Sequence, residues 1–436
     1  MIRQPTTSFD HVADTHPRIV ALELEVSGHH PGYIFNLAKF WAESACVGQL
    51  DFVVTPKFLD RHADVVATIG EFRDSGVNVV SITDEEFRDL ESTPWLKYFK
   101  GWKLFCQYAQ ERQADHGLLM YSDFFQLPSI LGRRAPCPFS CIYFRPTFHY
   151  QRFANYLPRW SERFKAMRKS WLLRQVLRNS SLEFLFCLDP FAVEYIEGHF
   201  QTQARIVHLP DPVMIRPDSG DKADMLRSEL GIEKGRRVFL LLGCLDRRKG
   251  VRQLLESLWR LSEDITRQSC FVLTGPVEKA LKQDVDQLIS QLRQSSPAQI
   301  VLVDRFVPDQ QVQDYYHLAD VVLATYQRHM GMSSALVRAA FAGKPVLSAN
   351  YGLMGELVRR RRLGITTDST TSNGIAAGIE RAFRLQPQEM FDAEEAHLFA
   401  LENSADNTAR KLFTNLCTAT NVDRDHIPSE RSSSVA

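Results

Sequence analysis

Short apolar runs alternate with segments whose apolar residues recur every three or four positions, and this alternation occurs twice along the chain. In the first half, the runs Ile19 to Val26, Phe52 to Thr55, Val77 to Ile82, Leu118 to Tyr121, Phe139 to Phe144, Phe184 to Leu188 and Arg205 to Leu209 predict strands. In the second half, Val238 to Leu242, Phe271 to Thr274, Ile300 to Val303, Val321 to Ala324, Pro345 to Ser348 and Gly364 to Thr366 do so. Strands separated by helical stretches predict parallel sheets covered by helices, an α/β class with two Rossmann-like, doubly wound domains facing across a cleft. Between the halves, LPDPVMIRPDSGDK carries Pro210, Pro212 and Pro217, cannot be regular helix and reads as a hinge. The expected organisation is an arm over 1–17, a first domain over 18–212, a second with the final helices over 213–420, and a disordered tail over 421–436.

In doubly wound sheets ligands gather at the carboxyl ends of strands, so the loops there carry the argument. After the first strand, VSGHHPGYIFNLAKFW turns tightly at Gly28, Pro31 and Gly32 and becomes a helix with Ile34, Leu37, Ala38 and Trp41 on one face. The glycines either shape the turn alone or admit a ligand to the backbone. His29 and His30 have no Cys, His or carboxylate at metal-ligand spacing, and no metal site is expected. In VFLLLGCLDRRKGVRQLLESLWRL a buried strand ends at Gly243, and Arg247, Arg248 and Lys249 follow beside Gly250, where they would either neutralise a diphosphate or form a solvated basic turn. The stretch Ile300 to Val346 forms one anion-binding unit. Gly331, Ser333 and Ser334 open a helix through Ala342, Gly343 stops it, and the helix N-terminus offers N–H groups and a positive dipole end to a phosphate.

Composition narrows the class. The 436 residues, 44% hydrophobic and 24% charged, suit two ordinary globular domains. Lys plus Arg equals Asp plus Glu at 52 each, so no overall field points to nucleic acid. Eight scattered cysteines without a CxxC pair fit free thiols. A polar start without an apolar signal core, and the lack of a spanning apolar run, make a cytoplasmic protein the expectation.

In order and spacing, Gly243, Cys244, Leu245 with Lys249, Gly250, then FVLTG through Gly275, LADVVLAT, the strand entry Phe341 to Val346, and Gly352, Glu356, Val358 resemble the C-terminal domain of GT-B glycosyltransferases, in particular glycosyltransferase family 4, the glycosyl transferases group 1. The resemblance implies transfer of a sugar from a nucleotide-diphosphate sugar, held by the second domain, to an acceptor held by the first. The donor is a substrate, and no cofactor is implied. The family's paired glutamates align with Met330 and Arg338, neither acidic, and its phosphate-binding arginine aligns with Cys244, whose role Arg247 or Arg248 could take. The family's acceptor-side histidine has its counterpart near Phe144 and Arg145, with His149 close by in sequence.

Arg338 follows Ser334 by four residues on one helix face, so its guanidinium is expected either on a donor phosphate or in a structural ion pair. Glu356 either binds donor sugar or ribose hydroxyls or caps a helix. The base candidates are His149 and then Asp123, which ends the strand LLMYSD and could also be a turn cap. No DxD motif stands at a strand end, so metal-independent transfer is expected.

Residues 157–179, LPRWSERFKAMRKSWLLRQVLRN, carry seven Lys or Arg against one Glu among apolar residues. This basic amphipathic helix either lies against the first domain's core or touches an anionic membrane, the inner face if so, which would suit a lipid-linked acceptor. The aromatic-rich region 95–155 offers core packing and sugar-stacking surfaces. A glycosyltransferase acting on a glycan or lipid-linked acceptor in polysaccharide synthesis is the first reading. A catalytically lapsed relative that binds a glycan, and a GT-B sugar-nucleotide epimerase, are the alternatives.

Overall fold

A computed structural model of the protein describes residues 17–28, 30–44, 46–214 and 222–419. The arm before residue 17, His29, the hinge segment 215–221 with Pro217, and the expected tail lie outside the described residues. Thirteen strands are described: β1 Arg18–Leu22, β2 Gln49–Val54, β3 Val77–Ser81, β4 His116–Leu119, β5 Phe139–Tyr143, β6 Leu182–Cys187, β7 Arg205–His208, β8 Arg237–Leu242, β9 Ser269–Thr274, β10 Gln299–Val303, β11 Val321–Ala324, β12 Val346–Ala349 and β13 Gly364–Thr367. Each apolar run named above overlaps one of them, with ends displaced by up to four residues.

The first run differs most, because β1 stops at Leu22 and not at Val26. Beyond it the Glu23 carboxylate reaches forward to accept the Glu25 N–H at 2.8 Å, a local side-chain bond that competes with the strand ladder.

The strands form two sheets, ordered β3-β2-β1-β4-β5-β6-β7 and β10-β9-β8-β11-β12-β13. Registered pairs in both are parallel, as in β1 with β4 and β8 with β11. In each sheet the order reverses direction beside its first strand. The two switch points, β1/β4 and β8/β11, are where a doubly wound sheet leaves a crevice at its carboxyl edge.

As far as they are described, the residues form two compact units, one of Met1–Cys141, Asn179–Phe184 and Leu412–Ala436, the other of Ile142–Arg178 and Leu185–Lys411. In the first, Phe413 of the last helix, Ala405–Ala419, packs on Phe40 and edge-on against Trp41. In the second, period-two alternation divides the strand side chains between two cores. Val238, Leu240, Val272, Val322 and Val346 belong to one cluster, and Phe239, Leu241, Phe271, Leu323 and Leu347 to the other. A sheet buried on both faces exposes only its edges and strand ends to ligands.

Candidate functional site

At the β8/β11 switch point the chain after β8 and the chain after β11 meet around one buried cation. β8 ends at Leu242, and Gly243 takes φ +113°, a conformation that disfavours any side chain. A Cβ there would lie 2.7 Å from the Lys249 ammonium, so the glycine makes room for the lysine. Arg247–Lys249 form a single 3-10 turn capped by Asp246, whose carboxylate accepts the Lys249 N–H at 2.9 Å, and Gly250 at φ +72° releases the chain into the helix Val251–Leu258. This turn folds Lys249 inward, leaving it 6% exposed, while Arg247 and Arg248 stay exposed.

The Lys249 ammonium donates to the Leu242 carbonyl and, at 2.9 Å, to the Tyr326 hydroxyl, and lies 4.8 Å from the Tyr326 ring centroid. Among the described residues it forms no ion pair with a carboxylate. Arg248 stands 5.2 Å over the same ring, 3.6 Å from Asp246. Burial alone would push the Tyr326 phenol up, but the Lys249 charge and hydrogen bond, the Ser333 bond and Arg248 outweigh it and hold the pKa below the usual range.

Tyr326 links this cation to the helix Ser334–Phe341. Its hydroxyl shares a 3.1 Å hydrogen bond with the Ser333 hydroxyl, which as the helix cap accepts the Ala335 N–H. His329 lies edge-on to Tyr326, its Nε2 3.2 Å from the Met332 carbonyl, and its imidazole is held below its ordinary pKa by burial and by Arg248, Arg145 and Lys249. Three cations thus act on one half-buried imidazole, a locally positive field at a helix N-terminus.

The other expected donor-side residues divide. Gly331 lies beside the His329 ring, and Ser334 is exposed in the helix's first turn. Arg338 is half-buried with no ion pair among the described residues. Its charge acts on Tyr316 of the helix Asp309–Leu318, and its carbonyl accepts from Gln313. Met330 packs against the first cluster, and its carbonyl accepts the Leu353 N–H. Glu356 is buried and held by Arg359 at 2.5 Å and Arg360 at 2.7 Å, both on its own helix Gly352–Arg360.

A second constellation occupies the β1/β4 switch point of the other unit. Gly28 has φ +77°, whereas a Cβ on Gly32 would meet nothing within 4 Å. Gly32 thus leaves open space at the start of the helix His30–Glu43. His30 Nδ1 lies 2.7 Å from the buried Glu23 carboxylate, and although burial opposes it, this partner and Glu25 hold the imidazole above its ordinary pKa. Tyr121, after β4, stands 5.4 Å from the His30 ring and stacks on Phe124, so Asp123 belongs to the loop that borders His30.

His149 is sealed in a core. It is 2% exposed, 3.2 Å from the fully buried Asp189, and ringed by Phe148, Tyr150, Phe153 and Tyr195. Most of the aromatic stretch is core as well, with Trp102, Phe105, Tyr143 and Tyr150 fully buried, but Trp95 is 79% exposed.

Tyr326, Arg328, His329 and the His30–Glu23 pair did not emerge from the sequence as site residues. The available signal was position, since YQRH begins two residues after a strand at the switch point. Arg328, at φ +47°, donates to Glu162 at 2.8 Å and to the Tyr351 hydroxyl at 2.9 Å, with its guanidinium 4.6 Å over the Tyr351 ring. It ties the loop carrying Tyr326 to the helix Trp160–Val176.

Two doubly wound parallel sheets, each with polar groups at its switch point, define the GT-B fold class. Anabaena HepE, solved with UDP and glucose, shares the fold at TM-score 0.62 and 16% identity, over 92% of this chain and 100% of that one. A glycosyltransferase from Rickettsia africae shares it at TM-score 0.62 and 13% identity, over 93% and 99%. Within that class, residues 223–396 match the glycosyl transferases group 1 family. It is 25% identical over 195 residues to the lipopolysaccharide 1,2-N-acetylglucosaminetransferase of Salmonella typhimurium, 43% of this chain and 50% of the relative. It is 27% identical over 161 residues to Bacillus subtilis YtcC, 36% and 39%. The chain therefore spans half or less of the length of these curated relatives. Among the described residues no helix is long and apolar enough to cross a membrane.

Proposed function

We propose that the protein transfers a sugar from a nucleotide-diphosphate sugar to a glycan or lipid-linked acceptor, without a metal and in the cytoplasm. The observation that carries this reading is the buried Lys249 ammonium, which has no carboxylate partner among the described residues and shares a strand-end site with Arg248, Tyr326 and the Ser333-capped helix. A buried cation without a counter-ion is costly, and a diphosphate supplies that counter-ion. As the glycosidic bond to the donor breaks, charge grows on the leaving diphosphate, and preoriented cations and N–H groups stabilise it without reorganising. HepE, of the same fold, was solved with UDP and glucose, and one relative is named as an N-acetylglucosaminetransferase, which favours a uridine diphosphate sugar.

For the base we favour His30 on Glu23, with Asp123 next. Its raised pKa makes His30 the stronger proton acceptor, and burial of His149 argues for a structural part in the core. Met330 and Arg338, where the resemblance expects acids, motivate a second reading as a binding protein that has lost transfer.

The test is thermal unfolding with UDP-, GDP-, ADP- and TDP-sugars, followed by donor turnover in chelator. A ligand at ~100 times its Kd stabilises by about 2.7 kcal/mol. Stabilisation by one nucleotide class, lost in Lys249→Ala, together with turnover supports transfer. Binding without turnover on any acceptor supports the second reading, and binding to none sinks both.

A further inference from the structure

The helix Trp160–Val176 has two apolar faces and only one of them is covered. Ala166, Leu173 and Val176 are buried. Trp160, Phe164, Met167 and Trp171, spaced four, three and four residues apart, therefore share one face, and they are 83%, 70%, 69% and 58% exposed. Leu157, just before the helix, is 79% exposed. A contiguous row of large apolar side chains in water marks a surface that has a partner.

The charges identify that partner. The helix's single acid, Glu162, turns away to Arg328 and is 18% exposed. Arg163, Lys165, Arg168 and Arg174 are exposed, and Arg163 lies 5.3 Å over the Trp160 ring. Bare aromatics bordered by cations, with no acid facing outward, match a surface that is apolar inside and anionic at its boundary. A second copy docking through the same face would bring these arginines against one another.

We propose that this face docks on an anionic lipid bilayer, with Trp160, Phe164, Met167 and Trp171 entering the interface and the arginines meeting lipid phosphates. The inference stands apart from the transfer reaction. It gains a consequence from it, because Glu162 of this helix holds Arg328, whose loop carries Tyr326 and His329.

The experiment is co-sedimentation of the full chain with vesicles of phosphatidylcholine alone and of phosphatidylcholine with phosphatidylglycerol in equal parts. Partners are Trp160→Gln/Trp171→Gln and Arg168→Glu/Arg174→Glu, all surface changes, with thermal unfolding as the folding control. The expected result is binding to the anionic vesicles only, weakened by salt and by roughly tenfold or more in either double variant, at unchanged melting temperature. Wild type that ignores anionic vesicles, or double variants that bind them as wild type does, would overturn the proposal. So would a concentration-dependent dimer that both double variants abolish while vesicle binding is absent, which would assign the face to a second copy.

Discussion

The Lys249 ammonium donates to the Tyr326 hydroxyl across 2.9 Å, in a pocket of backbone and ring where no carboxylate of the described residues balances it. Replacing a poorly compensated buried charge by an apolar side chain of similar length relieves desolvation, and such exchanges are neutral or stabilising by ~1–4 kcal/mol. Lys249→Met is therefore expected to unfold at the same or a higher temperature than wild type without ligand and to lose the stabilisation given by a nucleotide sugar. Paired melts with and without donor measure both effects. A variant that melts lower yet keeps the donor response would show the lysine to be structural.

Glycines at the two switch points differ in what they permit. At Gly243 an added methyl meets the Lys249 ammonium at 2.7 Å on a backbone of φ +113°, whereas at Gly32 it meets nothing. Gly243→Ala is expected to destabilise by about 1–3 kcal/mol and to abolish donor binding. Gly32→Ala, in a helix, is expected to be neutral or to stabilise by roughly 0.5–1 kcal/mol. Chemical denaturation measures both. If Gly32→Ala keeps its fold but loses activity, the open backbone at that helix start is a ligand surface.

Most strands were legible in the sequence because the central ones, such as FSCIY and RVFLLL, are buried, apolar and too short for helices. Lys249 stood out as a candidate for a related reason, being a cation in the short loop after such a run. Tyr326 was not, because a tyrosine at a strand end has the same composition whether it packs in the core or holds an ammonium. The His30–Glu23 pair was hidden by the expectation of a longer first strand, which would have sent alternate side chains to opposite faces. The burial of His149 was not legible, because sequence proximity to Phe144 says nothing of how the turn Thr147–Arg152 places it.

Arg328 and Glu162 test how firmly the loop after β11 is held. Arg328 occupies the left-handed region at φ +47°, which costs a non-glycine residue roughly 1–2 kcal/mol. Its bonds to Glu162, Tyr351 and the Leu157 carbonyl offset that strain. A double-mutant cycle of Arg328→Ala and Glu162→Gln is expected to give a coupling of about 0.5–2 kcal/mol in stability, since the pair is only partly buried. Arg328→Gly should be less destabilising than Arg328→Ala, because glycine removes the strain along with the bonds. The reverse order would mean that the backbone there is not strained.

Acid sensitivity should trace to histidines kept neutral. Burial lowers the His116 imidazole from 6.5 to about 4, where it shares a 2.8 Å bond with Ser140, and burial with Lys411 and Arg361 nearby lowers His208 to about 4. Below pH 6.5 the unfolded chain takes up these protons and the folded chain does not, so stability falls as pH drops from about 6.5 to about 4 and levels off beneath. Each group contributes on the order of 3 kcal/mol across that window. His30 has the opposite sign: its pKa is raised, so its contribution is complete below 6.5 and is lost as pH rises through the raised value. Urea unfolding from pH 4 to 7 is expected to show the slope, and His116→Gln, which can keep the bond to Ser140, should remove about half of it. An unchanged slope in that variant would mean that His116 titrates at its ordinary value in the folded protein and that other groups set the acid limit.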